Sequence, residues 1–182
     1  MRQGALARVA PLALLALAAC RGGAAGPAPS APPTAVGGVA GAAFEEGLRV
    51  AERHRVAAIS TRRFTHAELW QALAPSLASS DLRTEEIGRS LQGRELRAVT
   101  FGRGPTTVLL WSQMHGDEST ATMALADVLR WMAEATGDPL RERLHRELTV
   151  VMVPMLNPDG AELFERENAA GIDVNRDARR SR

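Results

Sequence analysis

Apolar residues in the middle of the chain follow strand-like and helical patterns in turn. Residues 106–111 (Thr-Thr-Val-Leu-Leu-Trp) and 147–154 are apolar runs of the length expected for strands covered on both faces. Between them, apolar positions recur with helical spacing over 119–134, a Gly-Asp-Pro sequence at 137–139 interrupts the pattern, and a short helix is predicted over 140–146. This order predicts two buried parallel strands joined by a right-handed crossover.

The segment before these strands has a weaker pattern. Apolar positions within 45–59 are consistent with one helix, and residues 65–68 have the capping-box pattern of a short helix that should end near Pro75. Two short strands are predicted over 83–87 and 95–101, with a polar, glycine-containing connection between them. The chain therefore has the element content of an α/β domain.

Two residues with metal-binding chemistry follow the first apolar strand. His115 and Glu118 lie just beyond the end of that strand at Trp111. A neutral imidazole and a carboxylate are both ligands that Zn²⁺ accepts, and a catalytic zinc site uses three protein ligands and leaves one position open. The pair is therefore predicted to supply two ligands of a divalent-metal site, and the sequence shows no obvious third ligand.

A second loop is expected at the same rim of the sheet. Residues 157–160 (Asn-Pro-Asp-Gly) follow the second apolar strand, and loops at the carboxyl ends of parallel strands converge where ligands bind. The proline and glycine positions suit a type I turn, so we interpret this segment as structural rather than catalytic. The other histidines, His54, His66 and His145, lie among charged residues on predicted helices and are expected at the surface.

Composition limits the possible classes of protein. The 182 residues carry a net charge of +1, which fits one main domain and gives no reason to expect a nucleic-acid partner. All 22 basic residues are arginine, and the single cysteine, Cys20, excludes an intramolecular disulfide bond. The sequence does not indicate an oligomeric state.

The N-terminus has the pattern of an export signal. Arg2 and Arg8 precede the apolar stretch 11–19, which is too short to span a bilayer. Small residues before Cys20 resemble a bacterial lipoprotein signal, in which the cysteine is lipidated and becomes the first residue of the mature chain. An ordinary cleaved secretory signal is the alternative interpretation.

These features predict three segments. Residues 1–19 would be the lipoprotein-type signal peptide, 20–43 a flexible tether rich in Gly, Ala and Pro, and 44–182 the folded domain. The protein would then be exported and attached to the bacterial cell envelope, facing the periplasm, through a lipid on Cys20.

Four motifs occur in the order and spacing of one enzyme family. They are Ile-Gly-Arg-Ser-Leu-Gln-Gly-Arg at 87–94, His-Gly-Asp-Glu at 115–118, Asn-Pro-Asp-Gly at 157–160 and Gly-Ile-Asp-Val-Asn-Arg at 171–176. On these motifs the chain resembles the zinc carboxypeptidases of the carboxypeptidase A type, from about Arg62 to Asp177. The resemblance implies a mixed, largely parallel sheet flanked by helices and incomplete at its C-terminal side. It also implies proteolysis in which a C-terminal residue is removed.

The resemblance assigns three residues to the metal centre. His115 and Glu118 would bind one Zn²⁺ ion. Asp173 would accept the other imidazole N–H of His115, a contact that fixes the tautomer of a histidine ligand and raises its basicity.

The resemblance assigns three further residues to the substrate. Asn175 and Arg176 would hold the terminal carboxylate, for which a planar guanidinium is well shaped. Arg166 would be a catalytic residue that polarises the scissile carbonyl and stabilises its oxyanion. The expected substrate is a peptide, and the envelope location alone favours a cell-wall peptide.

The resemblance also implies groups that these residues do not supply. In the family, a third zinc-binding histidine and a glutamate base follow the Asn-Arg pair. No histidine follows Glu118 except His145, so the polypeptide as written is expected to bind zinc poorly and not to hydrolyse peptides. A truncated reading frame is the expected cause, and a dedicated non-catalytic module is the alternative.

Two other functions remain open at this point. An N-acyl amino acid amidohydrolase, similar to aspartoacylase or a desuccinylase, would share the His-x-x-Glu and Asn-Arg pieces, although the 87–94 motif and the export signal favour the peptidase. A metal-free envelope module that binds carboxylates through Asn175 and Arg176 belongs to a different class. Zinc binding would separate this last function from the two enzymes.

Overall fold

The computed structural model of the protein describes residues 36–177. The predicted signal peptide, Cys20 and the first part of the predicted tether, 20–35, lie outside the described residues, as do 178–182. The chain divides into two units, Met1–Ala43 and Phe44–Arg182. The elements, in chain order, are α1 (Val36–Arg53), α2 (His66–Leu77), β1 (Leu82–Arg89), β2 (Glu95–Gly102), β3 (Thr106–Trp111), α3 (Thr120–Glu134), α4 (Pro139–Glu147), β4 (Leu148–Val153), α5 (Pro158–Leu163) and α6 (Val174–Asp177).

The four strands form one sheet in the order β1-β2-β4-β3. β1 and β2 pair antiparallel, β2 and β4 pair antiparallel, and β4 and β3 pair in parallel. The α/β class with a mixed sheet is confirmed. Only one of the three pairings in the described sheet is parallel, fewer than a largely parallel sheet implies, because the short connection between β1 and β2 can join only antiparallel neighbours.

One hydrophobic core contains residues of β2, β4, α2 and α3. Val99 and Phe101 of β2 are paired with Met152 and Val150 of β4, and all four side chains are buried. Leucines and methionines of the helices complete the core: Leu69 and Leu73 from α2, and Met123, Leu129 and Met132 from α3. Full burial of each such side chain contributes about 1.5–3 kcal/mol relative to exposure. The core therefore fixes the sheet that carries the candidate site.

Most elements agree with the hydrophobic pattern. β3 has the predicted bounds, α3 begins one residue later than predicted, and β4 is one residue shorter than predicted at each end. Thr65 caps α2 as predicted, because its hydroxyl accepts from the N–H of Glu68 at 3.2 Å while the Glu68 carboxylate accepts from the N–H of Thr65 at 2.7 Å. α2 continues past Pro75 to Leu77, so the predicted end is early by two residues.

β3 is not the buried strand that its apolar sequence predicted. It lies at one edge of the described sheet, and the side chains of Leu109 and Trp111 are 54% and 53% exposed. β4 lies inside the sheet and buries three of its residues: Val150, Met152 and Val153. An apolar run predicts membership of a sheet, but the position of a strand within the sheet depends on its partners.

Two further expectations change near the N-terminal end of the described residues. Residues 36–43, assigned from composition to the flexible tether, belong to α1, although they contain as many glycines as alanines and glycine disfavours a helix interior. His54, expected at the surface, is buried, and its Nδ1 lies 2.9 Å from the carbonyl oxygen of Val50. It is buried because Val56 and Ile59, in the segment after α1, pack into the core.

Among residues 36–177, no helix combines the length and hydropathy that a membrane span requires.

Candidate metal centre

The loops that follow β3 and β4 are held together by backbone hydrogen bonds beyond the ends of the strands. Ser112 N–H donates to the carbonyl oxygen of Val153 at 3.0 Å, and Leu156 N–H donates to that of Ser112 at 3.0 Å. Asn157 N–H then donates to the carbonyl oxygen of Gln113 at 3.0 Å. The two loops therefore converge at the carboxyl ends of the parallel pair, where ligands bind in sheets of this kind.

Two glycines allow the loops to approach each other. A Cβ atom on Gly116 would lie 2.0 Å from the carbonyl carbon of Gly160, and one on Gly160 would lie 2.4 Å from the carbonyl oxygen of Glu167. Gln113 adopts a left-handed φ of 50° in the same loop, and its side-chain amide donates to the carbonyl oxygen of Gly116 at 2.9 Å. Non-glycine residues with positive φ are uncommon and concentrate at functional loops.

His115 lies between two carboxylates. Its Nδ1 is 3.1 Å from Oε2 of Glu118, and its Nε2 is 3.1 Å from Oδ1 of Asp173. The histidine is buried, with 7% of its surface exposed, whereas the side chain of Glu118 is 60% exposed. When the ring is neutral and donates Nε2–H to Asp173, the lone pair of Nδ1 points to the side of Glu118; when the ring is protonated, Nδ1–H can donate to that carboxylate.

Nδ1 of His115 and Oε2 of Glu118 are spaced to occupy two coordination positions of one divalent cation. Two donors bound to one tetrahedral Zn²⁺ at about 2.0–2.2 Å lie about 3.4 Å apart, close to the observed separation of Nδ1 and Oε2. Asp173 meets the other ring nitrogen, as the partner of a histidine ligand does. Within the described part of the chain, no group of three or more His, Cys, Asp or Glu side chains could hold a metal ion. The residues present therefore match two of the three protein ligands of a zinc site.

The electrostatic environment supports the paired arrangement. A hydrogen bond with Glu118 raises the pKa of His115, burial opposes this shift, and the hydrogen bond with Asp173 adds to it. Burial would raise the pKa of Asp173, but hydrogen bonds from His115, from Arg166 and from a backbone N–H outweigh it and lower that pKa. Asp173 is therefore a carboxylate at neutral pH, which is the form that accepts an imidazole N–H.

Arg166 completes a ring of four side chains. Its Nε donates to Oδ2 of Asp173 at 3.0 Å, and its Nη1 donates to Oε1 of Glu118 at 3.4 Å. Arg166 therefore bridges the carboxylate that faces Nδ1 of His115 and the carboxylate that faces Nε2. Sequence motifs placed Arg166 near the substrate, but its contact with both carboxylates could not be predicted from its position in the chain.

Asp173 also positions the residues expected to bind the substrate. Its Oδ1 accepts from the N–H of Asn175 at 3.0 Å, and its carbonyl oxygen accepts from the N–H of Arg176 at 2.9 Å, which starts α6 beside His115. Nε of Arg176 lies 3.7 Å from Oδ2 of Asp173, and 75% of this side chain is exposed. Asn175 is exposed as well. Both side chains can therefore reach a ligand at the rim.

Residues 157–160 begin α5 and do not form an isolated type I turn. Asn157 is the N-cap, and its Oδ1 accepts from the N–H of Gly160 at 3.0 Å, while Pro158 occupies the first helical turn. The amide of Asn157 also donates to the carbonyl oxygen of Glu167 at 3.1 Å. The polar side chain of Asn157 makes its hydrogen bonds within this loop, which supports the structural interpretation of the segment. The conformation of the segment is the start of a helix.

Asp159 has a structural role that the pattern did not predict. Its side chain is 2% exposed, and it accepts from Ser90 Oγ at 2.7 Å, from Gln92 N–H at 3.1 Å and from Arg94 Nη1 at 2.7 Å. Burial would raise the pKa of Asp159, but these hydrogen bonds outweigh burial and lower it. Asp159 thus fixes the connection between β1 and β2. In the sequence, the only indication of this contact was that the 87–94 and 157–160 motifs occur together.

Comparisons with known proteins bear on this geometry. A family model described as zinc carboxypeptidase matches residues 68–179. Human Carboxypeptidase Z is 30% identical over 115 residues, which cover 52% of this chain and 18% of that protein. Carboxypeptidase SOL1 of Arabidopsis thaliana is 28% identical over 102 residues, which cover 52% of this chain and 21% of that protein.

Solved structures share the fold. The crystal structure of a metallo-carboxypeptidase from Burkholderia cenocepacia superposes with a TM-score of 0.58 and 25% identity, covering 63% of this chain and 33% of that one. The chain therefore spans about a fifth of the length of the two curated relatives and about a third of this structure.

Proposed function

Because this chain belongs to the zinc carboxypeptidase family, we propose that its site serves the metal-assisted removal of a C-terminal residue from a peptide. One observation supports this proposal above the others. His115 presents one ring nitrogen to Glu118 and the other to Asp173, each at 3.1 Å, which is the arrangement of a histidine ligand and its hydrogen-bonded partner.

In the proposed reaction, each residue of the candidate metal centre has a defined role. His115 and Glu118 would hold the zinc ion, and Asp173, by accepting a hydrogen bond from Nε2–H, would select the neutral tautomer of His115 whose Nδ1 lone pair is available to the metal. Zinc at such a site polarises a carbonyl and makes water a stronger nucleophile at neutral pH. The exposed Arg176 suits a substrate carboxylate, because a guanidinium can bind both carboxylate oxygens.

Asn175 and Arg166 complete the substrate contacts in this proposal. Asn175 extends from the same short helix as Arg176 and would donate from its side-chain amide to the terminal carboxylate. Arg166 lies at the rim beside Glu118, where a guanidinium can stabilise charge that develops on a substrate carbonyl oxygen.

We further propose that the 182-residue polypeptide by itself is inactive. Among the described residues, His115 and Glu118 are the two proposed ligands, one fewer than a catalytic zinc site uses. The glutamate base that the family resemblance implies has no assigned counterpart among these residues, and a positioned base contributes roughly 10²–10⁴ to the rate. Incubation with a C-terminally unblocked peptide at saturating Zn²⁺ should release no free amino acid above the metal-only control. Release that is lost in the His115→Ala variant would overturn this part of the proposal.

The proposed location follows from the N-terminal sequence alone. A lipid on Cys20 would attach the protein to the envelope membrane, and a periplasm-facing site would meet peptides or cell-wall peptides. In cells grown with a radiolabelled fatty acid, the protein should carry label and the Cys20→Ser variant should not. Equal labelling of the two proteins would exclude lipidation at this residue.

The metal assignment predicts the outcome of a zinc titration. We expect Zn²⁺ to bind the protein with 1:1 stoichiometry, and the His115→Ala variant to bind at least about tenfold more weakly, because removal of even a supporting contact costs tenfold or more. Isothermal titration calorimetry measures both affinities. His145→Ala, which removes an imidazole from α4, is the matched control and should retain the wild-type affinity.

The same titration tests the non-enzymatic alternative. A metal-free module that binds carboxylates through Asn175 and Arg176 would show no zinc heat and no difference between the wild type and His115→Ala. Equal loss of affinity in the His115 and His145 variants would instead show that zinc binds histidines without regard to this site.

A further inference from the structure

The contacts of Arg166 place a fixed cation at the carboxylate that the proposed function assigns to the metal. Nη1 of Arg166 lies 3.4 Å from Oε1 of Glu118, while Oε2 of the same carboxylate lies 3.1 Å from Nδ1 of His115. One carboxylate therefore faces the metal-binding nitrogen with one oxygen and a guanidinium with the other. A divalent cation bound at His115 and the guanidinium of Arg166 would both be attracted to the single negative charge of the Glu118 carboxylate.

The two ends of the Arg166 bridge differ in strength. Glu118 is 60% exposed and makes a long contact with Arg166, and exposed ion pairs contribute little, about 0.2–1 kcal/mol. Asp173 is far less exposed, its contact with Nη2 of Arg166 is 3.0 Å, and it is also held by His115 and by a backbone N–H. Arg166 can therefore leave Glu118 while it stays attached to Asp173.

From this difference we infer that Arg166, besides its proposed contact with the substrate, competes with the divalent metal for Glu118 and thereby lowers the affinity of the site for the metal. This inference rests on the proposed function, because it takes Glu118 as a metal ligand. When the metal takes the Glu118 carboxylate, Nη1 of Arg166 becomes free at the rim, where the substrate carbonyl is expected. Metal loading and the availability of Arg166 are then coupled, and such coupling is reciprocal.

Zinc calorimetry on a set of variants tests the competition. Arg166→Gln should bind Zn²⁺ about three- to tenfold more tightly than the wild type, because it removes both the competing contact and a positive charge close to the ion. Arg166→Lys keeps the charge and should remain closer to the wild type than to Arg166→Gln. Arg176→Gln is the matched control, since it removes a guanidinium that contacts Asp173 but not Glu118 within the described residues, and its affinity should change less.

A double-mutant cycle shows whether the effect acts through Glu118. In the Glu118→Gln background, which carries no carboxylate to compete for, the further change Arg166→Gln should raise zinc affinity by clearly less than it does in the wild type, because only the loss of the positive charge remains. An equal gain in both backgrounds would overturn the competition and leave only a general charge effect. Equal affinities of the wild type and Arg166→Gln would also overturn it, without affecting the proposed function.

Failure of the proposed function has a different signature. If zinc affinity is the same in the wild type, His115→Ala and Glu118→Gln, these residues do not hold the metal, and both the proposed function and the competition are overturned. The inference is supported only when Glu118→Gln weakens zinc binding and Arg166→Gln strengthens it.

Discussion

Replacing Asp159 with alanine is expected to lower the free energy of unfolding by about 3 kcal/mol, the lower end of the range for breaking a buried ion pair. The lower end applies because Arg94 is partly exposed and can recover some hydration once its partner is gone. Ser90 and the N–H of Gln92 also lose their acceptor. Urea denaturation followed by circular dichroism measures this change.

The matched control for this variant is Glu165→Ala. Glu165 is an exposed acid in the loop that follows α5, so its removal changes the net charge equally and should alter the free energy of unfolding by less than about 0.5 kcal/mol. If Asp159→Ala were no more harmful than Glu165→Ala, the connection between β1 and β2 would not depend on the buried carboxylate.

Replacing Gly116 with alanine is expected to destabilise the domain by about 3 kcal/mol, at the upper end of the usual cost of overpacking. The new Cβ would lie 2.0 Å from the carbonyl carbon and 2.3 Å from the carbonyl oxygen of Gly160. Both atoms are backbone, so no side-chain rotation relieves the clash and the two loops must separate. Because Gly116 adjoins His115, zinc affinity should fall as well, and denaturation and calorimetry together measure the two effects.

Gly47→Ala is the matched control because it makes the same chemical change in open space. A Cβ on Gly47 would meet no atom within 4 Å, and the residue lies inside α1. This substitution should stabilise the helix by about 0.5–1 kcal/mol, since alanine loses less backbone entropy than glycine. If both glycine variants changed stability in the same direction and by similar amounts, the close approach of the two loops would be disproved.

The local elements could be predicted because their signals are short-range. The bounds of β3, the span of α3 and the capping box at Thr65 follow from periodicity and from hydrogen bonds between residues three or four positions apart. The expected ends of α1 and α2 were less accurate, because residues 36–43, which combine alanines with glycines, and Pro75 are compatible with more than one conformation. Tertiary packing then decides where such helices begin and end.

The candidate site was predictable only in part. The motifs supplied His115, Glu118 and Asp173 as a group, and the structure places their polar atoms within hydrogen-bonding distance. They did not supply the contact between Arg166 and Glu118 or the burial of Asp159 against Arg94, which join residues 48 and 65 positions apart. Such contacts depend on how two loops pack, and residue spacing does not encode that packing.

The sequence by itself determined that this chain forms an α/β domain of the zinc carboxypeptidase family, with an imidazole and a carboxylate just beyond one strand. Only the tertiary structure decided that β3 lies at the edge of the described sheet with Leu109 and Trp111 exposed, and that Arg166 joins the two carboxylates that flank His115. The reason is physical: periodicity and capping act over a few residues, whereas strand order, burial and ion pairing depend on residues that folding brings together.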